Sequence, residues 1–157
     1  MTVIACDGRS MAADSMAVVG SQRVIAQIPK IIRRADGWLA GAAGRTPRCE
    51  AFKAWFLGGA EPTVRPSVPA GSREDDLDAL VLSPDGKLFR LDHEYNLYRC
   101  ACPFSIGESV AASMAFAAMA LGKTPAEAVA LAIEHTIYVG GPVQIESLAA
   151  QPSEGMQ

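Results

Sequence analysis

Histidine, metal-ligand spacing and charge of one dominant sign are what this sequence has least of. Only His93 and His135 occur in 157 residues, so imidazole chemistry has two candidates. A Cys6–His135 nucleophile pair is one option, but a small cysteine in an apolar strand reads first as core. The four cysteines, Cys6, Cys49, Cys100 and Cys102, contain no C-x2-C pair, and His93 alone lies near Cys100-x-Cys102. No metal site is expected, and buried reduced thiols are the simpler reading. Fourteen basic against seventeen acidic residues leave a formal charge of -3, with no basic run longer than Arg33-Arg34. Such a balance argues against a nucleic-acid partner. The longest apolar run, Met114 to Leu121, is too short and alanine-rich to span a bilayer, and the first residues lack a secretion signal's charged and apolar regions. The expectation is a cytoplasmic protein with no membrane partner.

What is present, 50% hydrophobic and 20% charged residues, suits one globular domain over 1–157 with a sizeable core. Thr2 to Cys6 (TVIAC) reads as a strand, Asp7-Gly8 as its turn, and Arg9 to Asp14 as the returning strand. An apolar stretch from Arg23 to Ile32 is interrupted by Pro29, and Gly37 to Ala43 reads as a further strand. Thr46-Pro47 predicts a helix start with threonine as the cap, an apolar stripe of Phe52, Trp55 and Phe56, and a stop at Gly58-Gly59. From 58 to 76 three glycines, three prolines and the acidic run Glu74 to Asp76 predict an irregular surface excursion, its acidic end a solvated face. Leu77 to Ser83 and Lys87 to Leu91 form a hairpin about Pro84-Asp85-Gly86, and Leu97 to Ser105 is extended. Ser109 to Leu121 reads as a helix closed by Gly122. Thr124 to Glu127 is a capping box opening a second helix, with Ala128, Leu131, Ala132 and His135 on one stripe. Val143 to Leu148 alternates as a strand, and 150–157 reads as a frayed end. Strands, helix, strands, two helices and a strand imply an α+β layered sandwich.

Thr2 carries the first chemical argument. Methionine ahead of a small residue is usually removed, which would leave a threonine with a free α-amine beside its hydroxyl. An α-amine with a pKa of about 7.7–8.0 can accept the hydroxyl proton, so one residue supplies nucleophile and base. The chemistry further needs a cation, a carboxylate to hold it, and an amide for the oxyanion. Asp14, Lys30 and Gly44 are candidates.

The stretches MAADS (Met11 to Ser15), PKIIRR (Pro29 to Arg34), AGAAGRT (Ala40 to Thr46), SIGES (Ser105 to Ser109) and YVGGPVQ (Tyr138 to Gln144), behind a Thr2-led strand, resemble the proteasome β-subunits and HslV within the N-terminal-nucleophile hydrolases. Asp14 to Lys30 is 16 positions and Lys30 to Gly44 is 14, similar to the family's spacing. The likeness is greatest to short phage-type members and spares mainly the 58–76 excursion. It implies a four-layer αββα sandwich, two packed antiparallel sheets covered by helices. It implies Thr2 as nucleophile, Lys30 as the tuning cation, Asp14 as its holder and the Gly44 N–H as oxyanion donor. It also implies a pocket of Ala17, Ile28, Ile32, Ala42 and Thr46 for an apolar side chain before the scissile bond. The implied activity is threonine-type cleavage of peptide or unfolded-protein substrates without a cofactor, in a homo-oligomer or ring, with an ATP-dependent unfoldase as partner.

Three positions depart from the family pattern. Glu108 stands where a serine follows Ile-Gly, with Ser109 after it, and Thr136 and Val139 stand where an aspartate and a hydroxyl residue precede Gly-Gly. Glu108 and Ser109 are candidates for a supporting role in the serine's stead. The alternative function is a catalytically silent relative that acts as an assembly or binding protein.

Overall fold

The computed structural model describes residues 1–25 and 27–150; the end expected to fray therefore lies outside the described residues except for Ala150. Four strands, β1 (Val3–Cys6), β2 (Ser10–Ala13), β10 (Phe104–Gly107) and β11 (Gln144–Ser147), make an antiparallel sheet in the order β10-β1-β2-β11. Five more, β5 (Ile31–Arg33), β6 (Leu39–Gly44), β7 (Leu77–Leu82), β8 (Leu88–Leu91) and β9 (Leu97–Cys100), make a second antiparallel sheet in chain order. A separate hairpin joins β3 (Met16–Val19) to β4 (Gln22–Ile25).

Alternating side chains explain why β1 is apolar throughout. Val3 and Ala5 face a core shared with helices α2 (Ser109–Ala120) and α3 (Pro125–His135), while Ile4 and Cys6 face a core between the sheets. A strand buried on both faces cannot alternate apolar with polar. Likewise Leu39 and Ala43 of β6 point between the sheets, and Ala40 and Ala42 point to helix α1 (Thr46–Leu57). Phe52 and Phe56 of α1 are fully buried there, with Trp55 partly buried beside them. The layers run helices, sheet, sheet, helix, which is the four-layer sandwich expected.

Several local expectations shift. Helix α1 is capped by Arg45 rather than Thr46, because Arg45 N donates to Asp76 O at 2.9 Å and holds Arg45 extended, so that its carbonyl accepts the first helical bond from Cys49. The stretch from Leu97 to Ser105 divides into β9 and β10, which pair in different sheets. On α3 the buried residues are Pro125, Ala128, Val129 and Ala132, whereas Leu131 is 38% exposed and His135 lies on the outside. Cys6 sits between the sheets and α3 packs on the other face of β1, so the first sheet separates Cys6 from His135. Nor are the thiols uniformly buried: Cys6 is, Cys49 and Cys100 are half-buried, and Cys102 is exposed. Burial pushes the Cys6 thiol up to about 12. From 58 to 76 the only regular pieces are single 3-10 turns at Pro62–Val64 and Glu74–Asp76. Among the described residues no helix is long and apolar enough to cross a membrane.

Candidate active site

The start of β1 meets the ends of β10 and β6, and three sequence-distant segments converge on it. Lys30 Nζ donates to Thr2 Oγ1 at 3.0 Å, to Asp14 Oδ1 at 2.9 Å and to the Met16 carbonyl at 2.6 Å, and lies 3.3 Å from the Met1 carbonyl. Asp14 is fully buried at the end of β2, where an unpaired carboxylate would be costly. Besides Lys30 it accepts from Val3 N on Oδ1 and from Met16 N and Gly140 N on Oδ2. Burial lowers the pKa of the Lys30 ammonium below its usual 10.5, against the opposing pull of Asp14. A cation whose charge is costly, held against a hydroxyl, is the kind of group found where proton positions matter.

The loop that carries Lys30 is fixed from across the sheet. Gln144 of β11 accepts from Lys30 N at 2.8 Å through Oε1, and its Nε2 donates to Ser15 Oγ at 3.1 Å and Ile28 O at 3.3 Å. Gln144 and the Met16 carbonyl were not singled out from sequence. Their roles rest on contacts across long separations, so no local signal marks them.

Gly44 ends β6 at φ +135°, a conformation open to glycine. The ladder also orients its amide. Ala42 N donates toward β5, to Lys30 O, and Arg45 N toward β7, to Asp76 O. Strand alternation therefore turns the Gly44 N–H away from β7, to the side where β5 begins only at Ile31. On the opposite flank Gly107 is at φ +114°, and a Cβ there would lie 2.0 Å from the Thr2 carbonyl oxygen. Glu108 N donates to that oxygen at 2.7 Å. Thr2 is thus clasped by β10 through its backbone and reached by Lys30 at its hydroxyl.

Thr2 and Gly44 line two cavities. The first, about 140 Å³, has Ala17, Ile28, Ala42 and Thr46 in its walls together with Cys49 and the Glu50–Lys53 ion pair. Burial pushes the Cys49 thiol up to about 11. Ile32 does not line this cavity; it packs partly buried against the core under α1. The second, about 510 Å³, lies across Thr2 and is walled by Gly107, Glu108, Arg45 and the end of the excursion, residues 73–76. Glu108 caps α2 by accepting from Ala111 N at 2.8 Å. Ser109 is exposed, 3.4 Å from the Glu108 carboxylate, and lines neither cavity. The Thr136 hydroxyl is taken by Ala132 O at 2.8 Å, and Val139 is buried in the core under α2 and α3. Among the described residues no group of His, Cys, Asp and Glu could hold a metal ion.

No family model matches the chain, and no curated protein matches it in sequence. Solved structures match in fold. Thiobacillus denitrificans BPH in complex with Epoxomicin superposes with a TM-score of 0.68 at 20% identity, covering 96% of this chain and 100% of that one. Thiobacillus denitrificans BPH gives 0.62 at 18% identity, covering 96% and 99%. Eukaryotic HslV from Trypanosoma brucei gives 0.65 at 16% identity, covering 93% and 98%. The chain has the N-terminal-nucleophile hydrolase fold. Within that class its sandwich is of the HslV-like form over nearly the whole chain.

Proposed function

We propose that this protein, once Met1 is removed, is a threonine-type peptidase with Thr2 as its nucleophile. The observation that carries the reading is Lys30 Nζ standing 3.0 Å from Thr2 Oγ1 and 2.9 Å from buried Asp14, beside a cavity that Gly44 also lines. Thr2 Oγ bonds to the scissile carbonyl carbon while its proton passes to the Thr2 α-amine. The oxyanion so formed takes a hydrogen bond from the Gly44 N–H, a donor that needs no reorganisation during reaction. Collapse breaks the C–N bond, the leaving amine takes the proton from the α-ammonium, and water then hydrolyses the ester to free Thr2. Lys30 holds positive charge beside Oγ throughout, and Asp14 holds Lys30. Ala17, Ile28, Ala42 and Thr46 would receive an apolar side chain before the scissile bond; preferred cleavage after charged residues would overturn that assignment.

The fold shared with HslV supports carrying over self-association, in a ring, action on peptides or unfolded chains in the cytoplasm, and an ATP-dependent unfoldase partner. Light scattering tests the first of these. A second reading, a silent assembly or binding protein, is favoured by one observation: Val139 is buried core and the Thr136 hydroxyl is spent on its own helix, so neither reaches Thr2 as a proton relay.

The deciding experiment is intact mass before and after exposure to a peptide epoxyketone, a warhead that needs both the amine and the hydroxyl of a terminal threonine. Epoxomicin, itself a peptide epoxyketone and the compound held by the similar Thiobacillus denitrificans BPH structure, serves as that probe. Loss of Met1 plus one inhibitor mass, abolished by Thr2→Ala, is expected. A retained Met1, or a bared Thr2 that stays unmodified, moves the function to the silent reading.

A further inference from the structure

The excursion from 58 to 76 ends against Gly44. Its last 3-10 turn, Glu74–Asp76, closes with Asp76 N donating to Arg73 O at 3.0 Å and Arg73 N donating back to Asp76 Oδ2 at 2.9 Å. The Asp76 carbonyl oxygen then occupies the space beside Gly44 that a side chain would need, 2.2 Å from the position of an added Cβ. That same oxygen accepts from Arg45 N at 2.9 Å, and the other carboxylate oxygen of Asp76 pairs with Arg45 Nε at 3.1 Å. The Asp76 side chain is 13% exposed, so this is not the solvated acidic face that its neighbours Glu74 and Asp75 suggest.

The residue after Gly44 is therefore gripped twice, by main chain and by side chain, from one aspartate. An oxyanion donor works only when its N–H is already aimed at the forming charge, and a misplacement of about 1 Å can cost a hundredfold in rate. The β6–β7 ladder runs out at Gly44, opposite Leu77, where glycine at φ +135° has wide freedom and β5 does not extend to this level, so the grip on Arg45 is what closes the end of the strand. We infer that Asp76 is a positioning residue for the oxyanion donor: through Arg45 and its own carbonyl it holds the Gly44 amide in its aim. The role rests on the reading of Thr2 and Gly44 given above, and it gives the excursion a catalytic use.

Transition-state charge is what a displaced Gly44 amide would fail to meet, so the loss should fall on kcat and not on KM. The experiment compares wild type, Asp76→Ala, Asp76→Asn and Arg45→Ala for kcat and KM on a fluorogenic peptide. Rates are expressed per site that forms an epoxyketone adduct, and each variant's pH–rate profile is recorded. Expected for Asp76→Ala is a fall in kcat per reactive site of about tenfold, less than one whole donor is worth. KM should stay within about twofold and the pH midpoints should not move, because they report Thr2 and Lys30. Asp76→Asn, which keeps one acceptor oxygen, should recover part of the loss.

Arg45 is 73% exposed, so Arg45→Ala will fold, and with the Asp76 carbonyl still in place it should lose about threefold in kcat. It decides the matter if Asp76→Ala does not fold. Variants with kcat per reactive site within twofold of wild type overturn the role of Asp76 alone. So does a loss accompanied by an equal rise in KM and shifted pH midpoints, the mark of general loosening. Wild-type protein that forms no adduct overturns the reading of Thr2 and this inference with it.

Discussion

Replacing Asp14 by asparagine changes one atom of the side chain and breaks four contacts into two incompatible pairs. One carboxylate oxygen faces two donors, Val3 N and Lys30 Nζ, and the other faces two more, Met16 N and Gly140 N. An asparagine has one acceptor oxygen and one donor amide, so whichever way it turns, its NH2 meets two donors. Each buried donor left without an acceptor costs about 1–3 kcal/mol. The Lys30 charge, 12% exposed, also loses its counter-ion, although the Met16 carbonyl remains. The sum comes to about 4 kcal/mol, which for a chain of this size lowers Tm by about 8–16 °C. Scanning calorimetry of Asp14→Asn beside wild type measures it. A further Lys30→Met change should cost at least about 1 kcal/mol less when added to Asp14→Asn than alone, because the cation it removes no longer faces an anion. A Tm shift below about 3 °C, or strictly additive effects, would refute the account of Asp14 as the acceptor on which these donors depend.

Three other outcomes follow from the same geometry. Burial lowers the pKa of Lys30, so the folded protein gives up this proton at a lower pH than the unfolded chain; the associated stability rises between that lowered value and 10.5 and is lost as pH falls through it. The alkaline limb of the pH–rate profile should accordingly have its midpoint below 10.5, and Lys30→Arg should move it up if any activity survives. Gly107→Ala would put a Cβ 2.0 Å from the Thr2 carbonyl at φ +114°, so a loss of at least about 2 kcal/mol in urea unfolding is expected, with the peptidase rate falling along with it. Gln144→Ala removes the acceptor for Lys30 N and the donor to Ile28 O, and should lower kcat by about tenfold for a stability cost of about 1–2 kcal/mol, read by steady-state kinetics and thermal melts.

The parts legible in sequence were those whose cause is local or periodic. β1 could be read because it is buried on both faces, and the hairpin about Pro84-Asp85-Gly86 because turn chemistry names it. Thr124 does cap α3, with Glu127 N donating to its hydroxyl at 3.2 Å. The cap of α1 falls one residue before the threonine because a contact from Asp76, 31 positions beyond Arg45, outweighs the local preference for threonine. Leu97 to Ser105 looked continuous because composition says nothing of which sheet a strand joins. At the site, Lys30, Asp14 and Thr2 lie together, residues that the family resemblance and not any local pattern points to, while Ile32 falls away because its side chain turns toward α1. Gln144 and Asp76 could not be read, since a glutamine in an alternating strand and an aspartate in an acidic run each have a bland local explanation.

Asp14 explains why the candidate site cannot precede the fold. Its carboxylate is satisfied by donors from β1, from the start of β3 and from the segment before β11, with Gly140 lying 126 positions away. Until all three are packed the carboxylate stays hydrated, and Lys30 has no reason to leave water for a position where burial opposes its charge. The pair is thus a poor device for stability and a good one for timing. A cation arrives beside Thr2 only when the two sheets have closed and Gln144 has captured the Lys30 loop. On the peptidase reading, a partly folded chain would carry a threonine without its cation, and the reactive hydroxyl would appear together with the walls that restrict what reaches it.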